Sequence, residues 1–249
     1  MKILVKLGGT LLDAPESRAR LACEIAALTR SAQVVVVHGG GKQMTRFLAE
    51  RGVESRFVNG LRVTTPEVLD AVLKVLAGTV NHELVSAFVA AGTRPVGLSG
   101  LDASLAVAEQ LDPDLGGVGR PVRSNPAILD LLTANGYLPV VACIGGGTRG
   151  EIYNVNADQM AVSCAAGFRA DRLFFLTDVD GVRDGEGRIL TTLTPAEIDS
   201  LIGRGSATGG MQAKLEAAKS ALAGGVGAIV IAPGHEPGEV EDGVIEPGS

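Results

Sequence analysis

Residues 3–11 read ILVKLGGTL, an apolar run that contains one lysine and is followed directly by two glycines. A continuous aliphatic run of this kind is typical of a strand that is buried on both faces of a parallel sheet. Burying an unpaired ammonium group costs far more free energy than burying a leucine. Packing alone therefore does not explain a lysine at position 6. The two glycines that follow it indicate that the explanation lies at the end of this strand.

The rest of the chain alternates between apolar runs and amphipathic patterns. Runs that predict strands lie at 33–41, 94–100, 137–147, 171–182 and 227–233, and patterns that predict helices lie at 16–30, 42–52, 66–77, 80–91, 125–136, 156–167, 195–203 and 208–225. Asn59-Gly60 predicts a hairpin over 53–64, and 104–124 reads as a second hairpin. This alternation predicts an α/β fold with a largely parallel, doubly wound sheet. We expect a lobe boundary near residue 168 and a poorly ordered tail after Pro233.

The composition argues against several classes of protein. The chain has 249 residues, of which 46% are hydrophobic and only 3% aromatic, so aliphatic side chains must build the core. A net charge of −6 and a pI of about 5.2 argue against nucleic acid or an anionic membrane as a partner. Three cysteines without CxxC spacing indicate reduced thiols. Because we find no secretory signal pattern and no apolar run near the ~18 residues of a membrane span, we expect a soluble, cytoplasmic protein.

Glycines follow two of the predicted strands, as KLGG at 6–9 and HGGGK at 38–42. Glycine lets backbone N–H groups approach an anion closely, and the N-terminus of a following helix favours negative charge. Open parallel sheets bind ligands at the carboxyl ends of their strands. Two glycine loops at one edge, one with a buried lysine, therefore predict an anion site rather than two tight turns. Neither loop is a Walker A motif, because the first glycine of GxxxxGK[ST] is missing before Gly41.

The segment GGGTRG at 145–150 matches the dinucleotide pattern GxGxxG, and Asp171 lies about 20 residues further on. In a dinucleotide site the helix begins on the glycines. Here EIYNV follows the glycines, and the next helical pattern begins near Ala157. These features argue against the dinucleotide interpretation of this segment.

Three further segments place polar residues at the ends of predicted elements. In TGGMQAK at 208–214, Thr208 can cap a helix whose two glycines leave its first amides open, and Lys214 follows in the second turn. TDVDGV at 177–182 ends a strand, and NVNADQ at 154–159 joins a strand to a helix. Taken singly, a solvated helix lysine, an Asp-Gly turn and helix capping explain these segments without any function.

Taken in order, the segments KLGG, HGGGK, NGLRVT at 59–64, NVNADQ, TDVDGV and TGGMQAK resemble the amino acid kinase family over residues 3–233. The resemblance implies a three-layer αβα sandwich with a mainly parallel, open central sheet. It implies an N-terminal lobe (1–168) that binds an amino acid and dimerises, and a C-terminal lobe (169–249) that binds ATP. NGLRVT with NVNADQ favours the branch that phosphorylates the γ-carboxylate of N-acetyl-L-glutamate to an acyl phosphate, in arginine biosynthesis.

The resemblance also implies roles for individual residues. Lys6 and Lys214 would flank the transferred phosphoryl group, and Asp158 would orient both lysines without acting as a base. The implied catalytic residues are Lys6, Lys214, Asp158, Gly9 and Gly41, the amino-acid ligands are Gly40, Gly41, Arg62 and Asn154, and the ATP ligands are Lys6, Gly8, Gly9, Thr177, Asp178, Gly181, Val182, Thr208, Gly209, Gly210, Met211 and Lys214. A carboxylate nucleophile with an ordinary pKa of about 4.3 is already ionised at pH 7, so no general base is required.

The same resemblance implies Mg²⁺ as the companion of ATP, held chiefly by phosphates and water, with no protein metal cage. It implies a homodimer paired through the helix near 79–91. Family members that form arginine-inhibited hexamers carry an extra N-terminal helix, whereas the first strand here begins at residue 2 or 3, so we expect an arginine-insensitive dimer. Residues 235–249 are short for the helix and strand that usually follow, so we expect an abbreviated sheet edge.

Three alternatives remain open from the sequence. The substrate could be N-acetyl-L-2-aminoadipate or another N-acylated acidic amino acid, because Arg62 and GLSGLDAS at 97–104 do not reveal the size of the pocket. A non-catalytic sensor of amino acids or nucleotides is a second alternative, although Lys6, Asp158 and Lys214 are all present. An oxidoreductase that binds a dinucleotide is the third.

Overall fold

A central sheet of eight strands organises the computed structural model, which describes residues 1–178, 181–183, 186, 188–190, 192–234 and 244–245. Its strands are β1 (Lys2–Leu7), β2 (Gln33–His38), β5 (Pro95–Ser99), β8 (Leu138–Ala142), β11 (Arg172–Thr177), β12 (Thr192–Leu193), β13 (Ala228–Pro233) and β14 (Val244–Ile245). Their order is β12-β14-β13-β11-β1-β2-β8-β5. All neighbours run parallel except β13 and β14. The predicted parallel sheet is confirmed, with the first strand of the chain at its centre.

Helices cover both faces of this sheet. They are α1 (Pro15–Leu28), α2 (Gly41–Ala49), α3 (Pro66–Val72), α4 (Asn81–Ala90), α5 (Ala127–Ala134), α6 (Ala157–Phe168), α7 (Pro195–Gly203) and α8 (Gly209–Ala223). Helix α1 packs against α4, whereas α6 packs against α8 and against strands β1, β2 and β11. Residues 3–7 of β1 are all buried, as expected for a strand covered on both sides. The chain therefore adopts the expected three-layer αβα sandwich.

A second small sheet confirms the predicted Asn59-Gly60 hairpin. Strand β3 (Phe57–Val58) pairs antiparallel with β4 (Leu61–Arg62). Asn59 and Gly60 adopt φ angles of 49° and 78°. Two consecutive left-handed residues form the turn that matches the twist of a two-residue hairpin.

A four-stranded closed barrel lies beside the central sheet and corrects one prediction. Strands β6 (Ala106–Gln110) and β7 (Val118–Ser124) form the predicted antiparallel hairpin. The run at 137–147, predicted as one strand, divides after β8, and its second part becomes β9 (Ile144–Gly146), which pairs with β10 (Ile152–Val155) in the barrel. A Cβ atom on Gly145 would lie 2.8 Å from the Cβ of Ala108, so only glycine lets this strand enter the barrel.

The helices predicted at 66–77 and 80–91 are one continuous helical segment. A π-helix, Leu73–Val80, joins α3 to α4 without a break. A π segment carries i→i+5 hydrogen bonds and often lies at a functional site. The sequence pattern predicted that the first helix ends before Gly78. In the structure the helix continues through Gly78.

In the described part of the chain, the same segment, Pro66–Ala90, is the one helix with the length and composition of a membrane span. Its 25 residues contain a stretch of mean hydropathy 1.3, which is long and apolar enough to cross a membrane. Such a helix is weak evidence by itself, because core helices of soluble proteins have the same length and composition. Leu76, Leu84 and Phe88 of this segment are buried in the common core.

The predicted disorder after Pro233 concerns mainly residues 235–243 and 246–249, which lie outside the described residues. The expected abbreviation of the sheet edge is tested only by β14, which pairs antiparallel with β13 and parallel with β12. Strands β14 and β12 therefore lie beyond β13 at this edge of the sheet, and of these two only β14 follows β13 along the chain.

Candidate active site

The two predicted glycine loops meet at the carboxyl ends of β1 and β2. A Cβ atom on Gly9 would lie 2.9 Å from the amide nitrogen of Gly41 and 3.3 Å from that of Gly40. Backbone therefore packs directly on backbone here, and a side chain at position 9 would force the loops apart. A Cβ on Gly41 would meet no atom within 4 Å, so this side of the loop faces open space. The sequence prediction that both loops share one edge of the sheet is confirmed.

The loops differ in which backbone amides remain open to a ligand. The Gly8 N–H donates to the Leu176 carbonyl at 3.2 Å, and the Gly39 N–H donates to the Leu7 carbonyl at 3.2 Å. Among the described residues, no acceptor is found for the amides of Gly9, Gly40 and Gly41. We therefore interpret Gly8 as a residue that shapes the loop rather than as a phosphate ligand, which differs from the role implied by the sequence.

Asp158 lies between the two predicted lysines. The Lys6 Nζ atom is 2.7 Å from Oδ1 of Asp158, and the Lys214 Nζ atom is 3.7 Å from Oδ2. The side chains of Lys6 and Asp158 are only 7% and 12% exposed. Burial raises the pKa of Asp158, but the charges and hydrogen bonds of Lys6 and Lys214 outweigh burial and hold that pKa below its ordinary value. The carboxylate is therefore ionised and shared by the two ammonium groups.

Helix α6 delivers Asp158 to this position. Asn156 caps the helix, because its side-chain oxygen accepts hydrogen bonds from the N–H groups of Asp158 and Gln159. The capping interpretation of Asn156 is thus confirmed, and the helix that Asn156 caps also supplies a residue of the site. Asp158 follows in the first turn, where the helix dipole favours a negative charge.

Helix α8 delivers Lys214, and its start corrects another prediction. Thr208 does not cap the helix, because its side chain accepts no hydrogen bond from the first turn. The opening amides of α8 are therefore left without a side-chain acceptor, as is usual for an uncapped helix N-terminus. Cβ atoms on Gly209 and Gly210 would meet nothing within 4 Å, so this terminus faces open space. An open helix N-terminus beside a lysine is a suitable place for an anion.

Arg62, from the β3–β4 hairpin, is buried against the second glycine loop. One of its terminal nitrogens donates to the Gly41 carbonyl at 3.1 Å and to Thr45 Oγ1 at 2.9 Å, and the other donates to the Ser55 hydroxyl. Burial lowers the pKa of Arg62 from its ordinary value. A guanidinium group carries five N–H donors, so these contacts leave donors for a ligand carboxylate.

Asn154 is connected to the same hairpin. Its Nδ2 atom donates to Thr64 Oγ1 at 3.0 Å, and the Thr64 hydroxyl donates to the Arg62 carbonyl at 2.8 Å. The amide oxygen of Asn154 remains able to accept a hydrogen bond from a ligand. The structure therefore links Asn154 and Arg62, which are far apart in sequence, through one buried threonine.

The segment after β11 is described in part, because residues 179–180 lie outside the described residues. Burial raises the pKa of Asp178, but backbone hydrogen bonding, hydrogen bonds from Thr10 and Thr177 and the charge of Lys214 hold it below its ordinary value. The side chain of Val182 is buried in the core, and its carbonyl accepts from the Leu190 N–H at 2.8 Å. Among the described residues no acceptor is found for the backbone N–H of Val182, so this group is available for the nucleotide contact that the sequence predicts.

The sequence pattern gave no signal for Gln43, which lies between the two glycine loops. Its Nε2 atom donates to the Gly9 carbonyl at 3.4 Å. Its Oε1 atom is buried, with no hydrogen-bond partner among the described residues. Gln43 thus braces one loop against the other. A glutamine in the first turn of a helix carries no distinguishing pattern, so sequence reasoning could not have found it.

A cleft of about 950 Å³ opens beside these residues. Asp158, Lys214 and Gly210 lie along it, and the hairpin tip at Asn59 and Gly60 forms part of its rim. A volume of this size is typical of a small-molecule site. In the described part of the chain, no group of three or more His, Cys, Asp or Glu side chains could hold a metal ion. A metal ion that arrives with phosphate ligands needs no such group.

Comparison with known proteins gives consistent results. Residues 1–233 match the model of the amino acid kinase family. Acetylglutamate kinase from Solibacter usitatus (strain Ellin6076) is 63% identical over 242 residues, which cover 97% of this chain and 94% of that protein. The crystal structure of smu.665 from Streptococcus mutans UA159 has a TM-score of 0.86 at 28% identity and covers 98% of both chains.

A third comparison concerns the fold alone. N-acetylglutamate synthase from Neisseria gonorrhoeae, complexed with coenzyme A and N-acetyl-glutamate, is 24% identical with a TM-score of 0.88. The match covers 100% of this chain and 60% of that one.

Proposed function

The chain belongs to the amino acid kinase family, and from this membership we propose that it transfers the γ-phosphoryl group of ATP to the γ-carboxylate of N-acetyl-L-glutamate, a step of arginine biosynthesis. The products are ADP and N-acetyl-L-glutamyl 5-phosphate. The observation that carries this proposal is the pair of lysines on the two oxygens of Asp158, between open glycine amides and an open helix N-terminus.

The proposed reaction needs charge stabilisation rather than proton transfer. A carboxylate oxygen forms a bond to the γ-phosphorus while the bond from that phosphorus to the bridging oxygen of ADP breaks. The nucleophile is already ionised at neutral pH, so it requires no base. The obstacle is that one anion attacks another, and phosphoryl transfer is accelerated mainly by positioning and by stabilising charge. Two ammonium groups held by one carboxylate supply a net positive charge at this point.

We assign different sides of the transfer to the two lysines. Lys6 lies at the glycine loops and would contact the attacking side of the phosphoryl group. Lys214 lies at the start of α8 and would contact the leaving group. The open amides of Gly9, Gly40 and Gly41 would donate hydrogen bonds to phosphoryl oxygens, as the donors of an oxyanion hole do.

The N-terminal lobe (1–168) is the proposed amino-acid site. The free donors of Arg62 would bind the α-carboxylate of N-acetyl-L-glutamate, since a guanidinium group pairs with a carboxylate through two parallel hydrogen bonds. The amide oxygen of Asn154 would accept the N–H of the acetylated amino group. The hydrogen-bonded connection from Asn154 through Thr64 to Arg62 supports a single substrate pocket.

The C-terminal lobe (169–249) is the proposed nucleotide site, formed by Thr177, Asp178, Gly181, the Val182 amide and residues 208–211. ATP would bind there as its magnesium complex, and Mg²⁺ would be held mainly by phosphate and water oxygens. Support comes from the open start of α8 and from the charge of Lys214 near Asp178. Because β1 pairs with β11, the proposed lobes share one sheet.

We further propose a cytoplasmic homodimer that pairs through α4. Val89 on α4 is 58% exposed, which is high for a large aliphatic side chain. Covering it in a second copy would remove this apolar surface from water. Light scattering of the native protein and of the Val89→Glu variant tests the pairing, with a dimer expected for the first and a monomer for the second.

The reaction is tested by trapping the acyl phosphate with hydroxylamine. Purified protein is incubated with ATP, Mg²⁺ and either N-acetyl-L-glutamate or N-acetyl-L-2-aminoadipate. Hydroxamate from the glutamate derivative alone supports the proposal. Preference for the aminoadipate derivative would keep the mechanism but change the substrate, and binding of ATP without any turnover would indicate a sensor.

A further inference from the structure

His38 is wholly buried at the end of β2, and the proposed reaction leaves it without a role. Its Nδ1 atom is 2.8 Å from the carbonyl oxygen of Gly39, and its Nε2 atom is 3.0 Å from Nδ2 of Asn81. Asn81 is also buried, and its Nδ2 atom donates to the Val140 carbonyl at 2.9 Å. The imidazole is therefore connected on one side to the glycine loop and on the other to α4 and the sheet.

These partners determine the tautomer of His38. A carbonyl oxygen only accepts hydrogen bonds, so Nδ1 must carry the proton and donate it to Gly39. The side-chain nitrogen of Asn81 only donates, so Nε2 must be unprotonated and accept. The ring is accordingly neutral. Complete burial agrees with this state, because it lowers the pKa of His38 to about 4.

The bond to the Gly39 carbonyl sets the direction of the next amide. The carbonyl of Gly39 and the N–H of Gly40 belong to one planar trans peptide unit, in which they point in opposite directions. Holding the carbonyl towards His38 therefore turns the Gly40 N–H away from the core. That nitrogen lies 3.3 Å from the position of a Cβ on Gly9, at the junction of the two loops. Glycine has no side chain to restrict its backbone, so the peptide would rotate easily without this bond.

Asn81 in turn holds the imidazole in place. It is the first residue of α4, directly after the π-helical segment Leu73–Val80. Its Oδ1 atom packs on Gly97, where an added Cβ would overlap it. The helix, the sheet and the imidazole thus form one connected arrangement behind the glycine loop.

We propose that His38, held by Asn81, is a positioning residue that directs the Gly40 N–H towards the transferred phosphoryl group. The inference deepens the proposed function and rests on it for the identity of the phosphoryl group. His38 touches neither substrate nor nucleotide in this scheme, and it acts only through the Gly39–Gly40 peptide.

The tautomer is tested without any reference to activity. Protein labelled with ¹⁵N-histidine is studied by NMR at pH 7, with and without a non-hydrolysable ATP analogue. The inference expects the His38 signals of a neutral ring with the proton on Nδ1 in both samples. A ring protonated on Nε2, or a charged ring, would overturn the inference even if the kinase activity is present.

Kinetics of two variants test the positioning. In His38→Asn the side-chain amide places an N–H close to the former Nδ1 atom and keeps a donor for Gly39, whereas His38→Leu removes the donor. We expect His38→Leu to lower kcat on the order of 10–100-fold, with both KM values within about threefold of the native ones. His38→Asn should recover most of kcat. Equal kcat in the two variants, whether reduced or native, would overturn the inference.

Gly97→Ala keeps the test decisive if His38→Leu does not fold. Its methyl group displaces Asn81 from behind the ring while His38 and all proposed ligands stay unchanged. A drop in kcat with unchanged KM supports the inference, and native kcat contradicts it. If the native protein shows no turnover with either acylated amino acid, the proposed function fails, and the NMR result alone decides the tautomer.

Discussion

The Nζ atom of Lys6 lies 2.7 Å from Oδ1 of Asp158, although both residues come from elements that composition alone would bury in the apolar core. Lys6 is the fifth residue of β1, and Asp158 is the second residue of α6. The helix closes over the strand so that its one buried carboxylate meets the strand's one internal ammonium group. The lysine in the opening run of the chain is therefore neutralised before any ligand binds, and this allows the protein to fold around it.

Replacing Lys6 or Lys214 removes a positive charge from the site of phosphoryl transfer but leaves the protein folded. We expect Lys214→Met to lower kcat by roughly 10²–10³. The matched control is Lys219→Met on the same helix, where the lysine forms an exposed pair with Asp199. That variant should retain kcat within about twofold, because exposed ion pairs contribute little. Steady-state kinetics with hydroxylamine trapping measures both, and equal kcat in both variants would remove Lys214 from the mechanism.

Asp158→Asn leaves the buried ammonium group of Lys6 and the partly buried ammonium group of Lys214 without a counter-ion. Breaking a buried pair in this way costs about 3–5 kcal/mol. Asp199→Asn, which breaks only the exposed pair with Lys219, should cost less than about 1 kcal/mol. Urea unfolding at pH 7 compares them. In the native protein the lowered pKa of Asp158 predicts that this stabilisation is complete above its ordinary pKa of about 3.9 and is lost as the pH falls further. The Asp158→Asn variant should lack this part of the loss of stability at low pH.

Gly9→Ala should abolish the contact between the glycine loops. The added Cβ would lie 2.9 Å from the Gly41 nitrogen, and backbone can yield only by moving the loop. We expect kcat to fall by about 10² while the protein stays folded. Gly203→Ala is the control, because a Cβ there meets nothing within 4 Å at the end of α7. An unchanged kcat for Gly9→Ala would show that the junction of the loops is not the phosphoryl site.

His38 predicts a loss of stability in mild acid. Its pKa is lowered from 6.5 to about 4 in the folded protein, so the unfolded chain binds an extra proton between these values. Stability is therefore complete above pH 6.5 and decreases by about 3 kcal/mol as the pH falls to 4. Urea unfolding from pH 7 to pH 4 measures this decrease. In His38→Asn the decrease should be smaller by this amount, and an identical profile would contradict the buried neutral ring.

Ala103→Gly should stabilise the protein. Ala103 and Ser104 have φ angles of 52° and 53°. A left-handed conformation costs an L-residue roughly 1–2 kcal/mol, and part of that gain is offset by the freedom of glycine in the unfolded chain. We expect a gain of about 0.5–1 kcal/mol in the free energy of unfolding. Gly52→Ala is the opposite case, because Gly52 has a φ angle of 70° and open space around the added Cβ. This substitution should lower the free energy of unfolding by about 1 kcal/mol. Chemical denaturation measures both.

Much of the fold and site followed from local signals. Apolar runs separated by amphipathic patterns predict the parallel sheet, and glycines at two strand ends predict where its loops meet. The Lys6 side chain was informative because an unpaired charge in a buried strand requires a partner. The prediction that Asp158 is that partner came from the family resemblance, since NVNADQ by itself indicates only a capped helix.

The remaining features depend on contacts between distant parts of the chain. The end of the run at 137–147 enters the barrel because Gly145 can lie against Ala108, which no local pattern reveals. Thr208 has a good capping side chain, yet it leaves the start of α8 uncapped. Gln43 and Asn81 have ordinary helical contexts, and their importance appears only when the loop that they contact is in view. His38 was likewise assigned no role, because a carboxylate nucleophile needs no general base and the contact of His38 with Asn81 joins residues that are far apart in the sequence.

The π-helical segment between α3 and α4 also makes the site sensitive to the length of the chain. Successive residues of a regular helix are separated by about 100° around its axis, because one turn holds 3.6 residues. Deleting a single residue within Leu73–Val80 would therefore restore an ordinary helix and turn Asn81 away from His38 and Val140. A shorter and locally better helix would thus disconnect the glycine loop from its support. Among insertions and deletions, one residue in this segment would matter more than several residues in an exposed turn.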